Sequence, residues 1–184
     1  MMWNLPIAVD IDGKEYAIRN KCDYRVVLDV ISALNDEELE MEYRIECALF
    51  IFYEDLTGLK DVQTAITEMM KIINLGEETT EEEQQKPQLM DWEHDFPQLA
   101  PPISRVLGYS VRDANRYTHW WDFIGAYMEI GECTFANIIS IRNKRMKGKK
   151  LEDWEREFYR ENKKMVDLPH KLTDEEQEWL DSNW

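Results

Sequence analysis

NRYTHWWDFIGAYMEIGECTFANIISIRN, residues Asn115–Asn143, decides the fold. It contains two helix-length segments separated by a break at Gly131. Trp120, Phe123, Ile124 and Tyr127 recur at three-and-four spacing, which places them on one side of a helix running to Ile130, with Asn115 or Thr118 as its cap. Beyond the break, Thr134 caps a second helix carrying Phe135, Ile138, Ile139 and then Ile141 or Arg142. Adjacent helical side chains point about 100° apart. Trp120 and Trp121 therefore divide, one able to enter a core while the other stands at its rim. Large aromatics and arginine carry much of the binding energy at protein interfaces. Trp120, Trp121, Phe123 and Tyr127 are accordingly the candidate partner-binding platform, with Arg142 and Arg145 as its charged edges.

Towards the N-terminus the period changes. Ile7–Ile11 and Glu15–Arg19 flank Asp12-Gly13, a pair that favours positive φ and tight turns, so a small β-hairpin is expected there. A lone hairpin is unstable in water and must dock on apolar surface. From Asp23, a plausible N-cap, Tyr24, Val27, Leu28, Ile31 and Leu34 mark one helix face. A second helix spans about Glu37 to Glu54. Its CALFIFY end, Cys47–Tyr53, is apolar nearly all round and should be deeply buried. A third runs from Asp61 to Asn74, burying Val62, Ile66, Met69, Met70 and Ile73 and closing at Gly76. Glu77–Gln88 has five acids and no aliphatic or aromatic residue, and reads as a solvated linker.

After it, Pro101 and Pro102 cannot both sit deep inside a helix. Either a helix starts near Pro101 or a longer one is bent there. Leu99, Ile103, Val106 and Leu107 form its apolar face, and Gly108 ends it. Leu151–Lys164 is a further helix, and Thr173–Glu176 has the capping-box pattern that opens a short last one. The fold class expected is mainly α with minor β: a hairpin plus seven or eight helices in two subdomains. These are an acidic unit over residues 1–76 and a helical unit over 90–184, joined by a polar linker over 77–89.

The formal net charge is −16. Residues 1–97 carry 8 Lys and Arg against 23 Asp and Glu, a net of −15, whereas residues 98–184 carry 14 against 15, a net of −1. Such a field repels nucleic acid and anionic membrane and attracts basic partners. The basic run RNKRMKGKK, Arg142–Lys150, has no interleaved aromatics and reads as a solvated helix end. Cys22, Cys47 and Cys133 are odd in number and widely spaced, which fits free thiols in a reducing cytoplasm. Met1–Gly13 lacks the layout of a signal peptide, and no apolar run approaches the length of a membrane span. Asp91, Glu93, His94 and Asp95 cluster, but His119 and His170 stand in unlike contexts and no ligand spacing matches a metal motif. No catalytic residue, metal, cofactor or small-molecule substrate is expected.

Several stretches together resemble the bacteriophage gp-fifteen family. They are DWEHD (Asp91–Asp95), RVLGYSVRD (Arg105–Asp113), HWWDF (His119–Phe123), the IxxIR run ending at Arg142, Lys147–Leu168 and the closing KLTDEEQEWL. The hairpin, CDYRVVLDVISALND and the FYEDL segment fit less sharply. The resemblance implies a non-enzymatic tail assembly chaperone or morphogenesis protein, encoded beside the tape-measure gene. It would bind the tape-measure protein in the host cytoplasm during phage or prophage tail assembly. The tail-tube subunit and a second copy of the chain are further candidate partners. Two alternatives stand beside it: a structural tail protein retained in the virion, and a small regulatory nucleic-acid-binding protein acting through the basic run.

Overall fold

Asp12 and Gly13 have φ of 54° and 77°, the left-handed pair that a two-residue hairpin loop requires. In the computed structural model, which describes residues 4–77 and 89–169, they join strands β1 (Ala8–Ile11) and β2 (Lys14–Ala17). The strands pair antiparallel with Ile11 opposite Lys14 and Ala8 opposite Ala17. Val9, Ile11, Tyr16 and Ile18 are buried, whereas Ile7 is exposed, although its carbonyl accepts from the Ile18 amide over 2.9 Å.

Eight helices follow among the described residues: α1 (Tyr24–Leu34), α2 (Met41–Phe52), α3 (Val62–Ile73), α4 (Trp92–Leu107), α5 (Trp120–Met128), α6 (Thr134–Met146), α7 (Asp153–Glu161) and α8 (Lys163–Val166). The protein is therefore mainly α with a minor β-hairpin. The Thr173–Glu176 helix and most of the Glu77–Gln88 run lie outside the described residues.

The hairpin is fastened to the end of α2. Ile18 and Tyr53 form an antiparallel bridge, and the Glu54 amide donates to the Ala17 carbonyl over 3.0 Å. The Arg19 guanidinium donates to the carbonyls of Phe50, Ile51 and Tyr53, filling acceptors that a helix C-terminus leaves open. α1 begins as expected, with the Asp23 carboxylate accepting from the Arg25 amide. Its buried stripe is Tyr24, Val26, Val27 and Val30; Leu28 and Ile31 are only partly covered. α2 starts later than expected, at Met41, since residues 36–39 form turns. Its CALFIFY end is buried on one side only, through Ala48, Leu49, Phe52 and Tyr53, while Phe50 is exposed. Val62 is likewise exposed at the start of α3, whose buried residues are Ala65, Met69 and Ile72.

α4 runs unbroken through Pro97, Pro101 and Pro102. Proline has no N–H, so the carbonyls of Glu93, Pro97 and Gln98 lack their α-helical donor. Gly108, with φ of 76°, ends this helix as the sequence indicates. Leu151–Lys164 is two helices rather than one, α7 and α8, parted at Asn162. α7 opens with a capping box between Glu152 and Glu155, which makes Glu152, not Leu151, its boundary.

The chain forms two units, and they interleave along the sequence. One is Met1–Pro87 with Ala100–Gly131; the other is Gln88–Leu99 with Glu132–Trp184. This membership differs from the linear division into 1–76 and 90–184. The reason lies in the first core: α1 packs on α5 as well as on α2, so residues after the acidic run complete it.

Asn20, Lys21 and Cys22 have φ of 49°, 56° and 64°, three consecutive non-glycine residues in the left-handed region just before α1. Each such residue costs roughly 1–2 kcal/mol. Lys21 is exposed, so Lys21→Gly removes that strain against a backbone-entropy cost of about 0.5–1 kcal/mol. The urea unfolding midpoint is expected to rise; a fall would mean that the lysine side chain itself holds the turn.

Candidate functional site

α5 is built into its unit from its first residue. The two helix starts of α1 and α5 pair through their backbones: the Tyr24 amide donates to the Thr118 carbonyl and the Trp120 amide to the Cys22 carbonyl, each over 2.9 Å. Asp23 and His119 face each other in this bridge and are both buried. Besides capping α1, the Asp23 carboxylate accepts from the Thr118 amide over 3.1 Å. His119 is the N-cap of α5, a role expected of Asn115 or Thr118. Its Nδ1 accepts from the Trp121 amide over 3.0 Å, so its proton lies on Nε2, which donates to the Pro6 carbonyl. Burial pushes the imidazole below its ordinary value, while the Pro6 carbonyl opposes that shift.

Both tryptophans reach the last turn of α3. The Trp120 indole donates to the Ile73 carbonyl and the Trp121 indole to the Ile72 carbonyl, each over 2.9 Å. The turn after α3 is closed by Leu75 and Gly76, both at positive φ, and a Cβ on Gly76 would meet the Trp121 ring at 3.8 Å. Trp120 and Phe123 are buried. Phe123 stacks on Tyr24 with ring centroids 4.3 Å apart, and Trp120 lies 5.9 Å from Phe123. Tyr24 in turn donates to the Val111 carbonyl. Of the four candidate platform residues, Trp120 and Phe123 thus present no surface, and Trp121 and Tyr127 are half-buried. The outer face of α5 carries Trp121, Asp122, Gly125 and Met128, the last 66% exposed.

The arginines have different surroundings, in the other unit. Arg142 is buried rather than at an edge, and all five of its N–H groups are used. Two reach Asp95 as a parallel pair, Nη1 over 2.6 Å and Nη2 over 2.8 Å. The rest donate to the carbonyls of Leu89, Met165 and Val166. Asp95 also accepts from the Asp91 amide, and Asp91 caps α4 by accepting from the His94 amide over 2.7 Å. Both members of the ion pair were legible in hindsight, since Arg142 continues the Phe135–Ile138 stripe and Asp95 lies one turn before Leu99. Arg145 pairs with Asp167 and lies over the Tyr159 ring at 4.1 Å. Lys144 pairs with Glu155; burial pushes that carboxyl up, but Lys144 and the Glu152 amide bring it below its ordinary value. The basic run is therefore largely satisfied within the chain, with Lys147, Lys149 and Lys150 left exposed.

No three His, Cys, Asp or Glu among the described residues are grouped to hold a metal ion, and no described helix is long and apolar enough to cross a membrane. What the surface offers is apolar side chains set among acids. The model of the family described as Bacteriophage Gp15 protein matches residues 1–117. The chain belongs to this bacteriophage Gp15 family. The Gp15 match takes in the hairpin, α1 to α4, DWEHD and RVLGYSVRD, and ends before HWWDF. The weight of the family likeness is thus in the first part of the chain, not the second. Comparison with curated proteins and with solved structures gives no match.

Two outcomes follow from these contacts. An unfolded histidine titrates near pH 6.5, and the folded chain resists that proton at His119. Stability is therefore full above about pH 6.5 and declines as pH falls below it. In His119→Asn, which caps without titrating, the loss of urea midpoint between about pH 7.5 and 5.5 is expected to shrink; an unchanged loss would refute the assignment. Arg142→Ala strands Asp95 in a buried site and is expected to cost about 3–5 kcal/mol by urea unfolding. Asp95→Leu with Arg142→Leu is expected to stay destabilised, because three carbonyls still lose their donor; full recovery would show that only the charge pair mattered.

Proposed function

We propose that this Gp15 family member is a tail assembly chaperone that binds the tape-measure protein in the host cytoplasm while the tail is built, without turnover chemistry. Family membership carries the reading. Two physical properties support it. The chain has 38 acids against 22 bases, which keeps a many-copy complex soluble and attracts basic segments. Apolar side chains stand exposed among those acids, at Tyr43, Phe50, Met128 and Trp154. A helical client with apolar stripes is held through such side chains by helix-against-surface contact, and many modest contacts give avidity with release. On α5 the contacts fall to Trp121, Tyr127 and Met128, because Trp120 and Phe123 are committed to the core. The tail-tube subunit, which would receive the client, is the second partner.

The test is co-expression with the long helical product of the neighbouring tape-measure gene. That product is expected to stay soluble and co-purify only when this protein is present. Trp121→Ala is expected to weaken co-purification several-fold while the circular dichroism spectrum is kept. A tape-measure product equally soluble alone, or this protein found at fixed stoichiometry in purified virions, would replace the chaperone reading.

A further inference from the structure

α2 is apolar on two opposite sides. Ala48, Leu49 and Phe52 face the core, while Tyr43, Cys47 and Phe50 follow one another at i, i+4 and i+7 on the outside. At about 100° per residue Tyr43 and Phe50 differ by only about 20° around the axis, and they lie nearly opposite Phe52. Tyr43 is 56% and Phe50 57% exposed. More than half of each ring thus faces outward.

The surroundings of this stripe have one sign. Between Asp36 and Asp55 there are eight acids and one base, Arg44. Glu38, Glu40, Glu42, Glu46 and Glu54 are all exposed. The ion pairs among the described residues use other acids: Asp23, Glu68, Asp95, Glu152, Asp153, Glu155, Glu157 and Asp167. Arg44 donates to the Leu39 carbonyl, and Arg19 is spent on the carbonyls at the end of α2. The stripe is thus an apolar row with a rim of glutamates.

We propose that the Tyr43–Cys47–Phe50 face of α2 is a docking surface for a basic amphipathic helix of another protein. The apolar side of such a helix covers the two aromatic rings, and its lysines or arginines meet Glu42, Glu46 and Glu54. Charge selects this occupant. The same face of a second copy would bring glutamates against glutamates. Residues 170–184 of this chain carry five acids and one lysine, so the field disfavours them too. As the place where the client of the preceding subsection sits, the surface rests on that reading; as a site for basic helices it stands on its own residues.

The probe is a synthetic helix of about 18 residues, five turns, with leucines on one face and lysines on the other. Its binding to the full chain is measured by fluorescence anisotropy at about physiological salt. Saturable one-to-one binding is expected, and none with glutamate in place of lysine. Tyr43→Ser with Phe50→Ser leaves the net charge unchanged and is expected to weaken binding about tenfold or more, whereas Met146→Ser, at an exposed methionine of the other unit, is not. A bulky maleimide on Cys47 is expected to block binding likewise. Cys22 is buried, with its thiol pushed up to about 12, so it does not compete for the reagent; Cys133→Ser removes the third thiol.

The proposal is overturned if the double variant binds as the parent does with its thermal midpoint preserved. It is overturned equally if a lysine peptide with serines for leucines binds as tightly, or if the unliganded chain forms dimers that the double variant lacks. A tape-measure product that still co-purifies with the double variant removes this surface as the client's seat and leaves the proposed function. Peptide binding without tape-measure binding does the reverse.

Discussion

The first unit is closed by the pairing of two helix starts that lie 95 residues apart at the Asp23–Thr118 contact. Helix N-termini leave amides without partners, and burying such an end demands acceptors. Here each start supplies what the other lacks. The backbones exchange two hydrogen bonds, Asp23 serves its own helix and the Thr118 amide, and His119 serves its own helix and Pro6. The arrangement fixes where α5 enters. That entry sends Trp120 and Trp121 to the carbonyls at the end of α3 and lays Phe123 flat on Tyr24. The left-handed turn over Asn20–Cys22 is strained, and the same bridge holds it: Tyr117 donates to the Lys21 carbonyl and Trp120 to that of Cys22.

The other unit solves a different problem with charge. A buried Asp95–Arg142 pair is weak evidence for stability by itself, since desolvation offsets most of the attraction. Its value here is in wiring. One guanidinium reaches four separate partners, at residue 89, at Asp95 on α4, and at Met165 and Val166 on α8, and so fixes three stretches of chain around α6. A leucine at that position would pack beside Ile138 and Ile141 but organise nothing. Among the described residues no buried side-chain nitrogen or oxygen lacks a partner, which is the condition for such a network to stabilise rather than strain.

Local signals were legible in the sequence and long-range ones were not. Asp12-Gly13, the Asp23 cap and the Gly108 stop each act within four residues, and each stands where the sequence places it. The His119 cap escaped notice because histidine is rarely chosen for that role, and only a buried, neutral ring serves it. The side of α1 that is buried shifted by about one position because α5 covers it, a neighbour that no local pattern names. The two tryptophans read as a binding platform because exposed and buried aromatics look alike in sequence. What distinguishes them is the pair of indole hydrogen bonds to α3. Pro101 and Pro102 read as a helix start or a bend, yet α4 begins at Trp92 and continues through them and Pro97, because the surrounding packing outweighs three absent amides.

The family likeness stops at residue 117, while the first unit needs everything to Gly131. A fragment trimmed to the matched stretch would lose the Thr118 amide, the histidine cap and the ring that covers Tyr24, and would open its core to water. Trimming instead at the acidic run would strip the same cover from the first core, while all of the second unit stays on one side of the cut. The smallest independently folding piece is thus larger than either boundary suggests, and a graft or truncation must respect the interleaved path of the chain rather than its linear order.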